Sequence, residues 1–143
     1  MQSYIWPDVC LFLPVLKRAL GQEVEVNCVV LESMDLTLQI QAVAAASVHI
    51  IPTGGLSHAL IFARDGASAV VLTHGSGKDM AFIPYLTWLK TVYLSRQHVH
   101  AVFAVIASAI ADASVALDLP LPAFDLLPQD ASHVFLDQPT LFA

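Results

Sequence analysis

Positive charge is scarce in this chain. Lys17, Arg18, Arg64, Lys78, Lys90 and Arg96 are its six basic residues, scattered among twelve Asp and Glu, and the net charge is −6. Without a basic run or stripe to neutralise a phosphate backbone, nucleic acid is not expected as a partner. A membrane span is lacking too: the best candidate, Ala101 to Ala111, ends at Asp112 after about half of the ~20 apolar residues a spanning helix requires. The N-terminus, M-Q-S-Y-I-W-P-D, has no basic region, and Asp8 and Pro14 interrupt the apolar residues beyond it. No signal peptide is expected, which leaves the cytoplasm as the default compartment. There are only two cysteines, Cys10 and Cys28, in apolar surroundings and without C-x-x-C spacing, which reads as buried free thiols. D-x-D, H-E-x-x-H and paired-cysteine motifs are all missing. His98-Val99-His100 sets two imidazoles at i and i+2, which diverge on a helix, and His49 in an apolar strand reads as a core histidine. Neither a metal site nor a cofactor is expected.

What is present is apolar. Hydrophobic residues make up 57% and charged ones 13%, against roughly 45–50% and 25% in an average soluble domain. Either much of the chain is buried on two faces, or part of its surface belongs against something else. At 143 residues it reads as one domain, 1–143, with an irregular proline-rich strap over 118–143 carrying Pro120, Pro122, Pro128 and Pro139.

The pattern alternates. Trp6-Pro7-Asp8 opens a helix over Val9 to Leu20 that ends at Gly21, with Pro14 implying a kink or a late start. Glu23 to Leu31 alternates and then turns fully apolar, as a strand entering a core does. Ser33 or Asp35 caps a helix running from Leu36 to Ala46. Val48 to Ile51 is a short strand, Leu56 to Ala63 two helical turns, Ala67 to Thr73 a strand, Phe82 to Lys90 a short helix, Thr91 to Leu94 a brief strand, and Arg96 to Leu117 the longest helix. This order predicts an α/β fold: a Rossmann-like parallel sheet of about four strands with helices on both faces.

Two glycine-bearing loops come after two successive strands, Pro52-Thr53-Gly54-Gly55 and His74-Gly75-Ser76-Gly77-Lys78-Asp79. In a parallel sheet both open on the carboxyl edge, where ligands bind. The glycines either merely turn the chain or let a phosphate approach the backbone N–H groups that open the next helix. The second loop is no Walker P-loop, because Leu72 stands where its first glycine is required and Asp79 where a magnesium-binding Ser or Thr is required. Lys78 is either a solvated loop lysine or a counter-charge for phosphate. Gly55-Leu56-Ser57-His58-Ala59 fits a G-x-S-x-A variant of the hydrolase nucleophile elbow, with His133 and either Asp112 or Asp118 as partners, while Ser57 otherwise serves as a helix cap.

The stretch from Leu31-Glu32-Ser33-Met34 through Gln39 and Ala46 to Thr53-Gly54-Gly55-Leu56-Ser57-His58, then Phe62 and Asp65-Gly66-Ala67, resembles the family-61 glycosyltransferases over about fifty residues. Thr53 and Gly55 stand where that family has histidine and alanine, Ser57-His58 where it has threonine-asparagine, and Asp65 where it has a turn proline. The resemblance implies the C-terminal, donor-binding half of a GT-B-like fold, with a nucleotide-sugar donor and a glycan or protein acceptor as partners. The catalytic base would then lie in an N-terminal half outside this chain, and sugar transfer would require that half. On this reading Thr53, Gly54, Gly55 and Leu56 to His58 receive the donor diphosphate, Ser57 donates a hydrogen bond, Lys78 adds charge and Glu32 reaches a ribose or sugar hydroxyl. The apolar excess then predicts an exposed patch, covered by the N-terminal half or in a homodimer. A non-catalytic interaction module is the alternative in another class, and a serine hydrolase using Ser57 and His133 is a third.

Overall fold

A computed structural model describes residues 9–21, 24–53, 55–73 and 82–124. Among them three strands form one parallel sheet: β1 (Val48–Pro52), β2 (Ser68–Thr73) and β3 (Lys90–Ser95), in the order β1-β2-β3. Val48 lies opposite Ser68 and Ser68 opposite Lys90, so all three strands start in step, and β1 stops one residue before the other two. Three α-helices accompany them, α1 (Phe12–Leu20), α2 (Leu36–Ala45) and α3 (Val102–Leu117).

The central strand sets the layers. Alternate side chains of a strand point to opposite faces, and those of β2 are buried on both. Val70 and Leu72 share a core with Phe12, Leu16 and Leu20 of α1 and with Val102, Phe103, Ile106 and Ala109 of α3. Ala69 and Val71 share the other with Val43 of α2, Leu60, Ala63, Ile83, Leu86 and Leu89. Each Val or Leu so buried contributes about 1.5–3 kcal/mol. The sheet is therefore covered on both faces, as the continuous apolar runs predict.

Several expectations are corrected. The sheet has three strands among the described residues, not about four, because 24–30 is extended but pairs with none of them. Its alternation is real: Val24, Val26 and Cys28 are half-buried, Glu25, Asn27 and Val29 exposed. The inward side chains Val24 and Val26 pack on the first core without a ladder.

Residues Gly55–Phe62 form a 3₁₀ rather than an α-helix. Ser57 and Leu60 within it and Ala63 just after it are buried, a spacing of three that matches three residues per turn. The same spacing, Ile83, Leu86 and Leu89, replaces the expected helix over Phe82 to Lys90 with a single turn at Ile83–Tyr85. Pro84 supplies no N–H to propagate it. The last helix begins as a 3₁₀ turn, Arg96–Ala101, that leaves helical geometry at His98 before α3 starts. Cys10 and Cys28 are not free thiols. Val9–Leu11 and the extended segment bring their Cα atoms to 5.5 Å, within disulfide range, and they are bonded.

Other local signals read through directly. Pro14 falls in the first turn of α1, after a 3₁₀ lead-in at Val9–Leu11, so the helix starts late. Asp35 caps α2 by accepting from the Leu38 N–H at 2.8 Å, while Ser33 instead donates to Val30 O at 2.7 Å. Asp118, at φ 54°, ends α3, and 119–124 has no regular structure. The opening residues Trp6-Pro7-Asp8 and the rest of the strap, 125–143, lie outside the described residues.

Candidate functional site

The carboxyl edge of the sheet is closed by a repeated hydroxyl. Thr53 comes directly after β1 and is buried, its N–H donating to Leu72 O at 3.0 Å and its Oγ1 to the same oxygen at 3.4 Å. Thr73 ends β2 and makes the equivalent long contact one strand over, Oγ1 to Leu94 O at 3.5 Å. Ser95 ends β3 opposite Thr73. With no further strand beside β3 among the described residues, its Oγ lies 2.8 Å from Nδ1 of His98. The signal was in the sequence: I-I-P-T, V-V-L-T and V-Y-L-S each end an apolar run in a hydroxyl. Thr73, Ser95, His98 and His100 are edge residues that glycine spacing alone does not single out.

Helix starts surround this edge. Only two residues connect α2 to β1, so α2 runs back along the sheet and its first turn lies at the carboxyl end. The 3₁₀ helix after β1 and the turn leading into α3 begin there as well. Unpaired N–H groups and the positive ends of peptide dipoles gather at such starts.

Of the expected donor residues, Glu32 is exposed in the turn Leu31–Ser33, beside the start of α2, where Gln39 Nε2 donates to Leu31 O at 2.9 Å and to Met34 O at 3.0 Å. Gly55 and Leu56 open the 3₁₀ helix. Ser57 has no exposed surface, so its hydroxyl faces the interior. His58 is exposed, its ring stacked on Phe82 with centroids 4.4 Å apart and planes 13° from parallel. Gly54, Lys78 and His133 lie outside the described residues.

The acids expected to complete a hydrolase triad are at the opposite edge. Asp112 Oδ2 is 2.9 Å from Nζ of Lys90, the first residue of β3, and Asp118 ends α3 beyond it. A six-residue strand separates that edge from the loops by about 17 Å. Within β1, His49 has a buried Nε2 with no hydrogen-bond partner, and burial lowers its pKa. Among the described residues no group of three or more His, Cys, Asp or Glu converges on a common point, and no helix is long and apolar enough to cross a membrane.

No protein-family model, curated protein or solved structure matches this chain.

Proposed function

We propose that the chain is a Rossmann-like nucleotide-sugar-binding domain of glycosyltransferase type, with the carboxyl edge of its sheet as the donor site. The observation that carries this reading is the shared carboxyl edge of three parallel strands, where Thr53 follows β1 and Thr73 and Ser95 end β2 and β3, because ligands of parallel α/β sheets bind outside the carboxyl ends of the strands. Helix starts on that edge favour a diphosphate, and the exposed Glu32 carboxylate accepts from a ribose or sugar hydroxyl. Since Ser57 is buried, the backbone at Gly54 to Leu56 takes the phosphate contacts, with Lys78 as counter-charge. Transfer to a glycan or protein acceptor needs a base from an N-terminal half. Titration with a panel of UDP- and GDP-sugars tests the site: thermal stabilisation with amide shifts at Gly54 and Gly55 is expected, and a flat response across the panel removes the proposal.

A second reading, a non-catalytic association module, is favoured by the apolar exterior. Val29, Val30, Leu36 and Leu38, close together in the chain, are each more than two-fifths exposed. Light scattering across a concentration series distinguishes it: a chain that stays monomeric and binds nucleotide-sugars is the donor domain, and one that self-associates without binding them is the module.

A further inference from the structure

His98 and His100 lie on the carboxyl edge and have no role in the donor reading. On a regular helix, residues two apart point roughly 200° from each other and share no ligand. Here the backbone departs from helical geometry at His98 itself, with φ −107° and ψ 25°. The two exposed rings come to a centroid separation of 6.3 Å, tilted by 50°. The His98 ring is also oriented. Its Nδ1 is 2.8 Å from Ser95 Oγ, and Ser95 is fixed by its place in the β3 ladder opposite Thr73. Metal-ligating histidines have this outer shell: one ring nitrogen tied to a protein oxygen sets the tautomer and leaves the other nitrogen to coordinate.

The geometry points to a two-histidine site for a divalent transition metal of the zinc, nickel or copper class. His98 Nε2 and an imidazole nitrogen of His100 are its ligands, and Ser95 is its positioning residue. Imidazole suits these ions, whereas magnesium and calcium take oxygen ligands. Two imidazoles bound at tetrahedral angles have ring centres about 5 Å apart, so closing the site takes about 1 Å in centroid separation together with rotation of the two exposed side chains. No third protein ligand converges there among the described residues, and the open positions take water. On the donor reading, phosphate oxygens of the bound nucleotide-sugar would replace that water; metal binding itself does not depend on that reading.

Calorimetric titration of the tag-free full chain with zinc or nickel chloride, without nucleotide, tests the site. Saturable one-to-one binding is expected, weakened at least about tenfold by His98→Ala or His100→Ala and about tenfold by Ser95→Ala. Melting temperatures of the histidine variants should stay near wild type, because both rings are exposed. Absence of saturable binding, or binding unchanged in the double histidine variant, overturns the proposal. Because no nucleotide is present, either result leaves the nucleotide-sugar panel to decide the donor site separately.

Discussion

Phe12 and Phe103 meet edge to face, with ring centroids 5.7 Å apart and planes at 74°. The contact joins α1 to α3 over the same face of the sheet, and both side chains are almost fully buried. Phe103→Ala is expected to cost about 3–5 kcal/mol through lost transfer energy and the remaining cavity, while Phe103→Leu, which keeps most of the volume, costs less. Urea denaturation measures both, and an alanine penalty below about 1 kcal/mol would contradict the packing.

The Cys10–Cys28 bond closes a loop of sequence separation 18 and fastens the extended segment to the start of α1. A loop of this length contributes about 3 kcal/mol. The double Cys→Ser variant and the reduced wild type should therefore lose similar stability. Before reduction, no free thiol should titrate in denaturant; two titrating thiols would disprove the bond.

Gly21 ends α1 at φ 66° and ψ −157°, donating its N–H to Lys17 O. That conformation is essentially restricted to glycine, yet an added Cβ would meet nothing within 4 Å. Gly21→Ala is expected to cost about 1–3 kcal/mol from backbone strain alone. A neutral result in a thermal melt would show that the chain leaves α1 by another path.

The Lys90–Asp112 pair is a weak contributor. With its side chains 64% and 30% exposed, Lys90→Ala should cost at most about 1 kcal/mol, and raising salt should shrink the difference. A large, salt-independent loss would point to packing by the lysine stem instead.

His49 makes stability depend on pH. Burial lowers its pKa in the folded chain, so the unfolded chain binds the proton more readily. The contribution is complete above the unfolded value of about 6.5 and is lost as pH falls from there through the lowered folded value. Denaturation at about pH 7.5 and about pH 5.5, on either side of that unfolded value, should show wild type weakening more than His49→Val. Equal slopes in the two proteins would remove His49 as the cause.

The legible part of the fold was the buried sheet. Val48 to Ile51 and Ala67 to Thr73 are short apolar runs of the kind that a strand covered on both faces requires. Glu23 to Leu31 misled because alternation reports only that an extended chain has one side inward. Whether it pairs depends on a neighbouring edge that the segment itself does not encode. Gly55 to Phe62 misled differently, since periods of 3.0 and 3.6 can hardly be separated over two turns. The cysteines gave no sign of pairing, because bonding depends on a distance set by tertiary packing. At the candidate site the carboxyl edge was readable from element order alone. The burial of Ser57 was not: a hydroxyl beside two glycines reads as exposed, and only the three-residue spacing with Leu60 and Ala63 turns it inward.

Each strand pairs with the next one in the chain, so residues 48–95 contain every rung of the sheet. Paired residues lie 20 and 22 positions apart in the chain, so each pairing closes a single crossover and needs no segment outside this stretch. One face of that assembly remains bare until α1 and α3 arrive from either side of it along the chain. The two flanking segments thus share a single task, and trimming either one would uncover the same wall of Val70 and Leu72.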